Sequence, residues 1–149
     1  MTSGTAPRRL KRLGADDYER LLALWETTDL PIRPEGRDSR EAFAAQLAGG
    51  RQTVLGIEVG DELVGGVVVT HDGRKGWINR LAVHPDYRRQ GIARELLAAS
   101  EERLKAEGIH VIAALIEGEN PASYALFDAA GYVVHHDITY LTKRDSAEA

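Results

Sequence analysis

In the stretch HPDYRRQGIARELL, His84 to Leu97, a strand gives way to a helix, and the turn between them carries two arginines, a glutamine and a glycine. The residues before it, Trp77 to Val83, read as a strand, and Pro85 breaks it. A helix is expected from about Gln90 to Glu107, with Ala93, Leu97, Ser100 and Leu104 stacked on one face and Gly108 as its stop. Cations at a helix start oppose the helix dipole, so the cluster calls for an anionic partner. The first turn of a helix also has unpaired backbone N–H groups. Gly91 lets a ligand approach the backbone, and Ala93 is the next smallest choice. With Arg88, Arg89 and Arg94 around it, the turn suits a diphosphate better than a carboxylate, because so many donors converge. The plainer alternative is a set of solvated arginines beside a turn glycine, and a bare glycine turn is a weak signal.

Outward from this turn the chain reads as one unit over its middle, with tails at residues 1–7 and 145–149. Arg9 to Leu13 makes a short first strand. Asp16 starts a helix with Glu19 as its capping-box partner, and Tyr18, Leu21, Leu22 and Trp25 form its apolar face. The loop DLPIRPEGRD, Asp29 to Asp38, leads to a second helix capped by Asp38 or Ser39, with Phe43 and Leu47 inward and Gly49-Gly50 as its end. Thr53–Val59 and Glu62–Thr70 form a hairpin over Gly60-Asp61, and Asp72-Gly73 turns the chain into Trp77–Val83. Val111–Ile116 is continuous and β-branched, as a doubly buried strand should be. Asn120-Pro121 starts a last helix that Gly131 ends. Tyr132–His135 and Ile138–Thr142 are expected as closing strands. The order is β-α-α-β-β-β-α-β-α-β-β: an α/β fold whose mixed, mostly antiparallel central sheet is flanked by helices.

The 149 residues suit a single domain with a real core. A net charge of −4 argues against general nucleic-acid binding. No apolar run is long enough to span a membrane, and the N-terminus lacks the apolar core of a signal peptide. The chain has no cysteine, which excludes disulfides, thiolate metal sites and an acyl-cysteine intermediate. A cytoplasmic location is the default expectation.

Arg88-Arg89-Gln90-Gly91-Ile92-Ala93 resembles the R/Q-x-x-G-x-G/A motif of the GNAT superfamily of acetyl-CoA-dependent N-acyltransferases. Asn120-Pro-Ala-Ser-Tyr-Ala-Leu-Phe-Asp-Ala-Ala-Gly-Tyr132 resembles the same family's N-x-x-A/S-x-x-l-Y-x-x-x-G-F/Y helix. The two motifs stand in order on the right elements, and the resemblance covers residues 8–143. It implies acetyl-CoA as co-substrate. The backbone of Leu81, Ala82 and Val83 would pair with the pantetheine arm. The turn of Arg88, Arg89, Gln90, Gly91, Ile92, Ala93 and Arg94 would hold the pyrophosphate. The strands ending near Val83 and Ile116 would splay to admit the thioester, and Asn120, Ser123 and Phe127 would face the cofactor. The acceptor would enter against the first two helices, and a homodimer through the last strands is a further expectation.

Direct transfer needs a neutral amine, yet a lysine-like amine is deprotonated in only about one part in a thousand at pH 7. Many relatives place a glutamate on the fourth strand, but GWINRLAVH has no carboxylate. Glu117 is the candidate base, acting through water, or else a solvated loop residue. Phe127 stands where the family's helix carries a tyrosine. Tyr124, one turn earlier, is the candidate acid for the leaving thiolate, or else a packing residue. Trp25, Arg33, Arg37 and Asn79 are the acceptor-side candidates. Arginines in the loop would suit an acceptor with a carboxylate beside its amine, the alternative being an ordinary charged loop. His84 reads as structural, and the adjacent His135 and His136 point to opposite faces and make no metal motif. The expected activity is acetylation of a small-molecule primary amine. The alternatives are a protein or peptide acetyltransferase and a non-catalytic coenzyme A sensor.

Overall fold

The computed structural model describes residues 7–28, 30–147 and 149. A five-stranded sheet runs in the order β1 (Arg8–Leu13), β2 (Gln52–Val59), β3 (Glu62–His71), β4 (Lys75–Val83) and β5 (Val111–Ala114). Its first four strands are antiparallel neighbours, and β5 pairs with β4 in parallel. The crossover to β5 is α3 (Ile92–Ala106), as a parallel connection requires. The other helices are α1 (Tyr18–Thr27), α2 (Arg40–Ala48) and α4 (Pro121–Ala129).

The sheet carries a core on each face. On one, Leu96, Leu97 and Leu104 of α3 pack against Ile57, Val67 and Ile78. On the other, Leu21, Leu24 and Trp25 of α1 and Phe43 of α2 pack against Val54, Val68 and Ala82. Alternation of side chains along each strand supplies both faces. The start of α3 lies tight on the sheet: a Cβ at Gly65 would sit 2.7 Å from Ile92 Cγ2. That close approach fixes the turn before α3 against the end of β4.

Several local signals act as expected. Ser39 caps α2, its hydroxyl accepting from the Ala42 N–H at 3.1 Å. Asn120 caps α4, accepting from the Ser123 N–H at 3.2 Å. Other expectations need correction. The first helix is not opened by an Asp16/Glu19 box; a short 3-10 turn covers Ala15–Asp17, and Asp17 accepts from the Gly14 N–H at 2.9 Å. On α3 it is Ile92 and Leu96, rather than Ala93, that join Leu97, Ser100 and Leu104 on the buried face. β5 stops at Ala114, not Ile116. Tyr132–His135 and Ile138–Thr142 form no strands, because no sheet edge pairs with them. Val133, Ile138 and Leu141 are therefore left exposed, at 73%, 69% and 83%. Asp29 and residues 1–6 of the expected tail lie outside the described residues.

Candidate active site

β4 and β5 are paired only from Lys75↔Val111 to Ile78↔Ala114. Beyond that point β4 continues for five residues, Asn79 to Val83, with no strand on its β5 side. A bulge marks the parting. Asn79 pairs with Val68 and Ala82 with Gly66, so Arg80 and Leu81 together oppose Val67. Arg80 has φ 52°, a left-handed conformation that a non-glycine residue holds at a cost of about 1 kcal/mol or more. The His84 N–H donates to the Val64 carbonyl at 2.8 Å. By strand alternation, the N–H and C=O groups of Leu81 and Val83 then face the gap, open to an extended ligand.

The gap opens into a cleft of about 420 Å³ between the α1/α2 side of the sheet and the start of α4. Glu117, Asn120, Ser123 and Phe127 line it from beyond β5. Trp25, Arg37 and Asn79 line its other side. Asn79 is held by its side-chain amide donating to Thr70 Oγ1 at 3.1 Å. Phe127 is 9% exposed, its ring set edge-on to Tyr132 at 4.9 Å. Tyr124 stands on the outer face of α4, 44% exposed, and does not line the cleft. Arg33 does not line it either; its Nε donates to the Ala147 carbonyl at 2.9 Å.

The ion pair in the cleft wall joins residues 42 apart and has no local signal. Asp38 Oδ2 accepts from Arg80 Nη2 at 2.7 Å and from the Arg33 N–H at 2.6 Å. Arg80 also donates to the Pro31 carbonyl at 3.0 Å, and its guanidinium lies 5.2 Å from the centre of the Trp25 ring. Burial pushes the Arg80 guanidinium below its ordinary pKa, with Asp38 opposing the shift. The loop between α1 and α2 is thus fastened to the β4 bulge. Tyr140, from the C-terminal segment, also lines the cleft.

At the far end of β4, the turn before α3 keeps the features of an anion cradle. Arg89 and Gly91 both have left-handed backbones, φ 65° and 79°. The first helical bond there runs from the Glu95 N–H to the Gly91 carbonyl, and no side chain caps the helix. The N–H groups of Ile92, Ala93 and Arg94 precede that bond and are free for a ligand. Arg88, Arg89 and Arg94 make no ion pair among the described residues, and Arg88, Arg89, Gln90 and Gly91 are exposed. Arg8 braces the turn: it donates to the Gln90 carbonyl and pairs with Glu95 at 3.0 Å. That contact spans 82 residues of sequence and has no local signal.

An open strand edge running from a cleft to an unpaired, cationic helix start fits a long thioester that ends in a nucleotide diphosphate. The arrangement is that of an acyltransferase dependent on coenzyme A. Residues 18–132 match the model of the acetyltransferase (GNAT) family. The chain is 34% identical over 129 residues to an acetyltransferase of Sodalis glossinidius, covering 87% of this chain and 89% of that one. Its fold matches the PaiA N-acetyltransferase of Thermoplasma acidophilum, solved with coenzyme A, at TM-score 0.76 and 18% identity, over 87% of this chain and 91% of that one. It also matches the aminoglycoside N-acetyltransferase AAC(6′)-Iy, solved with the bisubstrate analogue CoA-S-monomethyl-acetylneamine, at TM-score 0.78 and 17% identity, over 93% and 99%. The chain belongs to the GNAT family and is an acetyl-CoA-dependent acyltransferase. No helix among the described residues is long and apolar enough to cross a membrane.

Proposed function

We propose that this enzyme moves an acetyl group from acetyl-CoA to the primary amine of a small molecule by direct transfer. The observation that carries the reading is the parting of β4 from β5 after Ile78 and Ala114, which opens onto an acceptor-sized cleft. In this reading the backbone of Leu81, Ala82 and Val83 holds the pantetheine arm. The free N–H groups of Ile92, Ala93 and Arg94 hold the pyrophosphate, with Arg88 and Arg89 beside them and Gln90 and Gly91 shaping the turn. Asn120, Ser123 and Phe127 flank the thioester from α4. Phe127 has replaced a hydroxyl with a packing ring.

The chemistry has a simple balance. The amine nitrogen bonds to the acetyl carbonyl carbon, the C–S bond breaks with its electron pair on sulfur, and one amine proton leaves. Glu117, exposed at the cleft wall, takes that proton through water. Thiolates near an ordinary thiol pKa leave without an enzymic acid, so Tyr124 is a packing and solvent-facing residue in this reading. With no cysteine in the chain, transfer proceeds without an acyl-cysteine stage. That AAC(6′)-Iy, an aminoglycoside acetyltransferase, shares the fold supports a small-molecule acceptor.

The test is thiol release from acetyl-CoA with amines grouped as amino acids, polyamines, aminoglycosides and short peptides. The expected result is amine-dependent thiol release from at least one small-molecule group. Release with peptides alone would move the acceptor to protein N-termini or lysines. Silence beside intact acetyl-CoA binding would favour a sensor, the role to which a buried Phe127 is best suited.

A further inference from the structure

The acceptor side of the cleft is cationic although the whole chain carries a net charge of −4. The charged groups lining the cleft are Arg37, Arg80 and Arg144 against Asp38 and Glu117. Asp38 is already committed to Arg80 and to the Arg33 N–H. Arg37 Nε comes only to 3.9 Å from the same carboxylate, beyond hydrogen-bond distance, and its guanidinium has no other partner among the described residues. Arg144 donates to the Ala149 main-chain oxygen at 2.7 Å, and its side chain still lines the cleft. Arg37 and Arg33 add their positive charge to the burial that depresses Arg80, so the like charges are close enough to feel one another. Trp25, in the same wall, keeps its indole N–H buried without a partner. A buried donor left unpaired in a native fold calls for an explanation. Glu117 is the one carboxylate of the cleft lining that has no arginine partner, and it comes from the opposite wall, beyond β5.

This distribution deepens the proposed function and rests on it. We propose that the acceptor carries a carboxylate as well as its amine, that Arg37 pairs with the carboxylate with Arg144 in support, and that the amine lies toward Glu117 and the β4/β5 gap. A guanidinium binds a carboxylate through two parallel hydrogen bonds, which orients the molecule as well as holding it. A polycation such as an aminoglycoside would instead meet the Arg37 guanidinium at this wall, which Asp38 holds only at 3.9 Å. The acceptor class therefore differs from that of the aminoglycoside enzyme sharing the fold.

The test compares free α- and ω-amino acids with their own carboxamides, alongside polyamines and neamine, by thiol release from acetyl-CoA. The expected result is a free acid used at least about tenfold better in kcat/KM than its carboxamide, the loss of one charge-assisted pair. Arg37→Gln should raise KM for the acid by about the same factor, leave kcat within about twofold and leave the carboxamide unaffected. Arg37→Lys should recover part of the affinity. Equal use of acid and carboxamide, or no effect of Arg37→Gln on the difference, overturns the inference. Turnover of polyamines or neamine with every acid silent overturns it while the small-molecule reading stands. Silence toward every amine, with acetyl-CoA still bound, overturns both.

Discussion

Replacing Gly91 with glutamate is expected to weaken acetyl-CoA binding more than about a hundredfold, some 3 kcal/mol, while leaving the protein folded. The glycine sits at φ 79° in the turn before α3, beside three N–H groups that no helical bond uses. A carboxylate there would occupy the anion's place and repel a diphosphate. The fold has room for the side chain: a Cβ at Gly91 would meet only Arg8 Nη2, at 3.6 Å. The left-handed backbone adds a strain of about 1 kcal/mol, a modest part of a typical domain's stability. Gly91→Ala carries the same strain without the charge, so it should lose much less affinity. Equilibrium titration of both variants, with circular dichroism as a folding control, separates the effects. Equal affinity in Gly91→Glu and the native protein would remove the pyrophosphate from this turn.

Asp38→Ala should destabilise the protein by about 3 kcal/mol, measured as a shift in the urea unfolding midpoint. The Arg80 side chain is 17% exposed and that of Asp38 is 9% exposed, so the pair is largely out of water. Removing the carboxylate leaves the guanidinium to the Pro31 carbonyl and the face of Trp25. It also frees the Arg33 N–H and loosens the loop that borders the acceptor side. Breaking one half of a buried pair costs more than removing both halves, because a lone charge remains. Asp38→Ala combined with Arg80→Met should therefore recover part of the loss. A loss below about 1 kcal/mol, with nothing gained in the double variant, would mean that the pair behaves as a surface salt bridge.

What was legible in the sequence was chiefly what is local. The cap residues Ser39 and Asn120, the Gly60-Asp61 and Asp72-Gly73 turns and the apolar stripe of α3 act within a few residues, and their chemistry is written in neighbouring letters. The turn of Arg88 to Arg94 was legible for the same reason: charge, small residues and helix start coincide. The first helix is entered two positions earlier than its letters suggest, because Gly14 and Asp17 close the turn expected of Asp16 and Glu19. A 3-10 entry shifts the register without changing the residue types.

The remainder depends on distance along the chain. Arg80 and Asp38 are separated by 42 residues, and neither looks unusual in its own segment. The β4 bulge that brings Arg80 to the cleft arises from its pairing with β3, which the strand's own sequence does not encode. The closing strands failed for a related reason. Val133, Val134 and Ile138 have strand propensity, but a strand requires an edge to pair with, and these residues are exposed instead. Arg33 and Arg37 look equivalent in the loop, yet only Arg37 lines the cleft; Arg33 turns to the Ala147 carbonyl.

The most direct measurement is amide chemical-shift mapping by NMR while acetyl-CoA is titrated into the protein. The account predicts the largest shifts at Leu81 and Val83 of β4 and at Ile92, Ala93 and Arg94 of the α3 start, saturating together at one affinity. Shifts centred instead on the hollow between α3 and α4, at Leu97, Ala98, Leu126 and Ala129, with the β4 edge unmoved, would contradict it.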